Sequence, residues 1–235
     1  MATFDTYIDL ANASYGNRSD GDNSPGGWTM HKREWASWYG DGFQGAIFSN
    51  DQEVVVGFAG TKGNLLTAPV SQNTANARIG VNVIPNMAGS ANDLVNAAKQ
   101  LFPLKSISLV GHSLGGGLAQ VVGNWSGCPF ISFNGPGMRN HLKMSAFNLF
   151  KPMQLVRSAL AKNTQDTIGL CIIVKGDFTG TLGTPVGHAV TLPLTSPGTG
   201  AFANHGMESV FSAIHKAGWR LKTPRDVYSI WPKML

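Results

Sequence analysis

Acidic residues are scarce in this chain. Asp and Glu number 13 against 18 Lys and Arg, charged residues make up 13% of the 235 positions, and the formal net charge is +5. The basic excess is thin, gathered at Lys32-Arg33, Arg220, Lys222 and Arg225, with no interleaved aromatics to stack on bases. A nucleic-acid partner is therefore not expected. An anionic membrane surface suits such patches better, each Lys or Arg near one contributing about 1 kcal/mol, and a merely solvated face has the same composition. Cysteine is limited to Cys128 and Cys171, too few for a disulfide framework; both read as small hydrophobes in buried strands. No apolar run reaches the roughly 18 residues that a spanning helix needs. The opening MATFDTYIDLANAS has neither a basic n-region nor an unbroken apolar core and carries Asp5 and Asp9, so it does not read as a secretory leader. The expectation is a protein that is cytoplasmic as synthesised, with any export by a leaderless route. The 29 glycines and 12 prolines are spread along the chain with no fixed-period repeat, which predicts one domain over 1–235.

What is present is an alternation of short apolar runs and helical patterns. Phe4, Ile8 and Ala11 fall at helical spacing in residues 3–14. QGAIFS (44–49) and QEVVVGF (52–58) flank Asn50-Asp51 and predict a hairpin closed by that two-residue turn. Residues 62–92 are rich in Asn, Gly, Pro and Ala, and helical spacing returns from Ser90 to Leu101. KSISLV, CPFISF and GLCIIV are near-continuous apolar runs separated by helical patterns, as strands buried on both faces of a parallel sheet would be. The fold class is α/β.

One stretch carries chemistry. In SISLVGHSLGGGLAQ, the pattern G-x-S-x-G around Ser113 follows a strand and opens a helix. That strand-to-helix elbow is the context a nucleophilic serine of this motif requires. Gly111 and Gly115 leave room where the serine's strained backbone presses its neighbours together. The Leu114 amide, at a helix N-terminus, points where negative charge would develop on a substrate oxygen.

A serine nucleophile needs a base and a group that orients the base, and on this elbow they follow in the order Ser, Asp or Glu, His. His141 has no acid between it and Ser113. His188 sits in the strand-like VGHAVTLPL and reads as structural. His215 lies inside the helical pattern GMESVFSAIHKAGW. His205, after the turn-rich TSPGTGAFAN and just before that helix, is the preferred base. Asp166 and Asp177 are the acids in the interval. Asp177 follows the strand GLCIIV, at the carboxyl end where open α/β sheets assemble their sites, and is preferred over Asp166. VVVGFAGT ends an apolar strand at Gly60-Thr61, which makes Thr61 the candidate for a second oxyanion donor beside Leu114.

These segments resemble the class 3 (fungal-type) lipases of the α/β-hydrolase superfamily. VGHSLGGGLA is similar to their nucleophile elbow, GFAGT to their oxyanion strand, FISFNGPG to the strand and turn after the nucleophile helix, VKGDF to their acid segment and NHGMESV to their histidine segment. The resemblance covers about residues 44–215. It departs at Ala59, where the family usually carries an arginine. It implies an α/β-hydrolase fold with a mostly parallel sheet flanked by helices, Ser113 as nucleophile, Asp177 as orienter, His205 as base, and Thr61 with Leu114 as oxyanion donors. It implies a serine esterase or lipase acting on lipid esters, phospholipid acyl chains included.

The expected reaction is ester hydrolysis through an acyl-enzyme, with no metal or organic cofactor. Residues 62–89, which contain Leu65, Leu66, Ile79, Val83, Ile84 and Met87, read either as a lid that meets lipid or as a packed insertion. Two other functions share the sequence. One is a phospholipase effector delivered to a competing cell and matched by an immunity protein. The other is a non-catalytic lipid- or protein-binding module on a hydrolase fold.

Overall fold

The computed structural model describes residues 1–16, 24–35, 42–60, 87–145, 156, 166–194 and 204–231. Its central feature is a seven-stranded sheet. In chain order the strands are β1 (Thr29–Trp35), β2 (Gln44–Ser49), β3 (Glu53–Phe58), β4 (Ser106–His112), β5 (Phe130–Phe133), β7 (Gly169–Val174) and β9 (His188–Leu192). A small parallel pair, β6 (Gly137–Met138) and β8 (Gly183–Thr184), lies outside it. The order across the large sheet is β1-β2-β3-β4-β5-β7-β9. The β1–β2 and β2–β3 pairs are antiparallel, and every pair from β3 to β9 is parallel. The sheet is thus mostly parallel, and its strand order places β4 at the centre.

The inner strands are largely apolar on both faces, and the period of two divides their side chains between two cores. Val54, Val56 and Phe58 of β3, Leu109 of β4 and Phe130 of β5 face a helix, α2 (helical over 87–101), and α3 (Leu114–Ser126). Val55 of β3, Val110 of β4, Ile131 and Phe133 of β5 and Ile172 of β7 face α1 (Phe4–Ala13) and α5 (Met207–Lys216). A further helix, α4 (Arg139–Ser145), follows β6. α1 starts where Thr3 accepts the Thr6 amide at 3.3 Å, and it is pinned at that end by Phe4 stacked on Trp219. With helices on both faces of a parallel sheet, a three-layer α/β architecture follows.

Several sequence expectations are corrected in detail. The hairpin turn is centred one residue later than its composition suggests. Asn50 N–H donates to Glu53 O, and the Asn50 side-chain oxygen accepts the amides of Gln52 and Glu53. Asn50 therefore caps the turn, and Asp51-Gln52 forms its tip. Cys128 is buried but precedes β5, so only Cys171 lies in a strand; both thiols are free. Helix α2 is already formed at Met87, and Met87 and Ala88 are buried in the core. The last three positions of the expected lid or insertion, 87–89, are thus helical, while 62–86 lie outside the described residues. Strand β1 has charged residues, Lys32, Arg33 and Glu34, in place of an apolar run, and its pairing with β2 carries a register shift between Met30 and Lys32. An edge strand that faces solvent has no need of an apolar signal.

Buried polar groups tie the loops between the strands to the core. Gln120 of α3 is fully buried. Its amide nitrogen donates to Pro136 O and Ser132 Oγ, and its oxygen accepts the amides of Met138 and Val186. One side chain thereby fixes two separate loops, and every donor and acceptor on it is used. Among the described residues no helix is long and apolar enough to cross a membrane.

Candidate active site

Strand β4 ends at His112 and α3 begins at Leu114, which leaves a single residue, Ser113, to make the reversal. Ser113 does so with φ 58° and ψ −127°, a backbone region that costs a non-glycine residue of order 1–3 kcal/mol. The strain is held by its neighbours. Ser113 N–H donates to Phe133 O, and Ser113 O accepts the amides of Gly116 and Gly117. The glycines around it are required by contact: a Cβ at Gly111 would collide with the carbonyl of Gly115, and one at Gly115 with the carbonyl of Phe58. Strand β3, strand β4 and helix α3 therefore meet closer than side chains would permit, and the serine Oγ is lifted clear of them at the sheet's carboxyl edge.

His205 reaches that serine from the segment just before α5. Its Nε2 lies 2.7 Å from Ser113 Oγ, and its Nδ1 lies 2.7 Å from Asp177 Oδ1. Asp177 follows β7, in a turn closed by its own amide on Val174 O, and its second oxygen accepts the Gly180 amide at 2.5 Å. Asp177 and His205 are 1% and 3% exposed, so water does not compete for these contacts. A carboxylate only accepts, which assigns the neutral ring's proton to Nδ1 and leaves Nε2 as acceptor for the serine hydroxyl. An imidazole held this way can take the hydroxyl proton as the oxygen attacks a carbonyl, while the carboxylate stabilises the imidazolium that forms.

The other sequence candidates fall elsewhere. His188 opens β9 and stacks on Tyr228. His215 is near the end of α5, 3.4 Å from Asp5. His141 is on α4, and Asp166 is exposed ahead of β7. Leu114 is the first residue of α3 and sits directly after the serine. Thr61 lies outside the described residues. Its predecessor Gly60 packs against the elbow, where a Cβ on Gly60 would lie 2.8 Å from His112 O and 3.0 Å from Ser113 Cβ. Among the described residues no three His, Cys, Asp or Glu side chains group as metal ligands.

Three residues given no role from the sequence complete the surroundings. Tyr15 hydroxyl lies 2.9 Å from His112 Nδ1, His112 Nε2 lies 2.7 Å from the main-chain oxygen of His205, and Asn134 Nδ2 lies 3.2 Å from that same oxygen. Asn134 has φ 47°, a left-handed conformation that Asn tolerates, and its side-chain oxygen accepts the Val174 amide at 2.8 Å. The signals for His112 and Asn134 were their places in GHSLG and FNGPG; nothing in the sequence marks Tyr15.

Burial, and next the charge His205 would carry, push the His112 pKa down to about 3. In an unfolded chain the same ring titrates near 6.5. As pH falls below about 6.5 the unfolded state takes the proton first, so the stability that His112 contributes is complete above that pH and is lost progressively towards pH 3. At roughly 1.4 kcal/mol per unit, this withdraws several kcal/mol. The titratable side chains facing the ring are Tyr15 and His205. Thermal midpoints of wild type and His112→Gln measured from pH 7 to pH 4 should fall less steeply for the variant. Parallel curves would contradict this.

The sheet order, the elbow and the buried Asp177–His205 pair at its carboxyl edge define an α/β-hydrolase. Residues 7–150, more than half of the chain, match the Tle-like phospholipase domain of the phospholipase-like proteins, and the chain belongs to that family. It is 33% identical over 103 residues to the extracellular phospholipase A1 of Serratia liquefaciens, a match that spans 43% of this chain and 30% of that protein. This chain therefore matches less than a third of the length of that curated relative. In structure it is similar to the Lip2 lipase of Yarrowia lipolytica, with a TM-score of 0.51 at 14% identity over 83% of this chain and 78% of that one. It is also similar to a triacylglycerol lipase whose catalytic centre is a serine-protease triad, with a TM-score of 0.50 at 12% identity over 81% and 78%. At such identities these two structures attest the fold.

Proposed function

We propose that this protein is a serine hydrolase that cleaves fatty-acyl ester bonds of phospholipids through an acyl-enzyme. The observation that carries the reading is His205, whose two ring nitrogens lie 2.7 Å from Ser113 Oγ and 2.7 Å from Asp177 Oδ1. Ser113 attacks the ester carbonyl, His205 takes its proton and returns it to the departing alcohol, and Asp177 holds the imidazole tautomer. Water then repeats the cycle on the acyl-serine and releases the fatty acid. The Leu114 amide stabilises the oxygen that becomes negative, with Thr61 as the proposed second donor. The family match and the Serratia relative support phospholipid over triacylglycerol.

The finer parts of this reading rest on the same support. The protein acts as one hydrolase domain over 1–235, and the substrate is met at a membrane surface, where phospholipid esters are presented. Delivery to a competing cell, with an immunity protein in the producer, is the version of this function in which membrane damage is the purpose.

Purified protein incubated with phosphatidylglycerol vesicles should release free fatty acid and lysophospholipid. Triolein and short p-nitrophenyl esters serve as comparison substrates, and phospholipid with two distinguishable chains reports the position cleaved. Release of lysophospholipid is the expected result. Turnover of triolein with phospholipid untouched would overturn the substrate class, and no turnover of any ester would overturn the hydrolase reading.

A further inference from the structure

The histidine that precedes the serine is a buried titratable group that the reaction above leaves unused. His112 is 6% exposed, and its ring centroid lies 4.9 Å from that of His205. Its Nε2 faces the main-chain oxygen of His205 at 2.7 Å. A carbonyl oxygen can only accept, so Nε2 carries the proton. Nδ1 is then the acceptor, and the Tyr15 hydroxyl at 2.9 Å donates to it. The Tyr15 hydroxyl also packs against Gly60, where an added Cβ would collide with its oxygen. Asn134 Nδ2, at 3.2 Å, approaches the same His205 oxygen. The main chain of the base is therefore held from two sides, and one of those holds runs through His112 to Tyr15, which packs on Gly60 after β3.

We propose that His112 is a positioning residue: its neutral ring, protonated on Nε2 and held at Nδ1 by Tyr15, clamps the main-chain carbonyl of His205 and ties the base to the strand end at Gly60. The proposal rests on the hydrolase reading of Ser113 and His205. The clamp acts on the residue that must reach both Ser113 and Asp177, and a misplacement near 1 Å in such a set can cost about 100-fold in rate. Two buried groups define its direction. With the hydroxyl of Tyr15 removed, Nδ1 is left a buried acceptor without a donor and the ring is held at one end only. A proton moved to Nδ1 would set an unprotonated Nε2 against the carbonyl, two acceptors in contact, so the tautomer stays.

Side-chain amides separate the two ends of the ring. In His112→Gln the amide nitrogen reaches the place of Nε2 and can still donate to His205 O. In His112→Asn the amide oxygen takes the place of Nδ1, so the contact with Tyr15 survives and the clamp is lost. Turnover of a short p-nitrophenyl ester should therefore fall about 10- to 100-fold in kcat for His112→Asn, with KM within about twofold. His112→Gln should stay within about fivefold of wild type. Nitrogen-15 spectra of the histidine rings supply a readout independent of turnover: the wild-type His112 ring should be the Nε2–H tautomer at neutral pH, and Tyr15→Phe should keep that tautomer while shifting the Nδ1 resonance, which has lost its donor. Equal kcat losses in the Gln and Asn variants, losses that track the thermal midpoints, or an Nδ1–H ring in the wild type would each overturn the assignment. Failure of the hydrolase reading is distinguishable, because it would leave the wild type inactive on every ester whatever the tautomer spectra show.

Discussion

Under the proposed mechanism, Ser113→Ala should lower phospholipid hydrolysis by at least ~10,000-fold, because the attacking atom would be gone and only binding groups and oxyanion donors would be left. The fold should survive, since Ser113 Oγ is a partner of His205 Nε2 and the chain reversal is made by the main chain. A second substitution separates strain from chemistry. At an ordinary position glycine is less stable than alanine by about 0.5–1 kcal/mol. At φ 58° and ψ −127° the order reverses, because only glycine takes up such a backbone without cost. Ser113→Gly should therefore be as inactive as Ser113→Ala yet melt several degrees higher, at about 2–4 °C per kcal/mol for a chain of this size. An alanine variant that melts higher than the glycine variant would show that the elbow is not strained.

Asp177→Asn should cost about 1,000- to 10,000-fold in kcat with a folded protein. The wild-type carboxylate receives two hydrogen bonds, one from Gly180 N–H at 2.5 Å and one from His205 Nδ1 at 2.7 Å. An amide offers one acceptor and one donor group. If its oxygen stays with Gly180, the NH₂ faces Nδ1, and the imidazole must move its proton to Nε2, where it meets the serine hydroxyl as a donor and cannot act as a base. If the oxygen turns to His205, the Gly180 amide loses its acceptor in a buried turn, which costs about 1–3 kcal/mol. Activity and thermal midpoint measured together distinguish the two orientations. Full activity in Asp177→Asn would remove Asp177 from the reaction, and attention would pass to another acceptor for His205 Nδ1.

The order of elements was legible because buried parallel strands leave unmistakable apolar runs. KSISLV and GLCIIV correspond to β4 and β7, and the opening helix and the helix after His205 stand where their periodicity places them. Strand β1 was invisible for the opposite reason: an edge strand with a solvent face, built from Lys32, Arg33 and Glu34, has no hydrophobic pattern to read. The turn at Asn50 was misplaced by one residue because composition identifies a turn former without saying whether it caps the turn or forms its tip.

The same contrast holds at the site. Ser113 was legible because the elbow is local, and chain order narrowed the partners to Asp177 and His205, which the structure brings together with the serine. Tyr15, His112 and Asn134 converge on the main chain of that site through contacts that span 97 residues between Tyr15 and His112 and 71 between Asn134 and His205. A hydrogen bond to a carbonyl places no demand on the identity of the residue that owns it, so no sequence pattern records the partnership. Such contacts are visible only once the chain is folded.

The most direct measurement of the central claim is the site of covalent capture by a fluorophosphonate, read by mass mapping of the digested protein. Wild type should carry one phosphonyl adduct on the peptide containing Ser113, formed at a rate that collapses in His205→Ala. An unlabelled wild type, or an adduct on any other residue, would contradict the account.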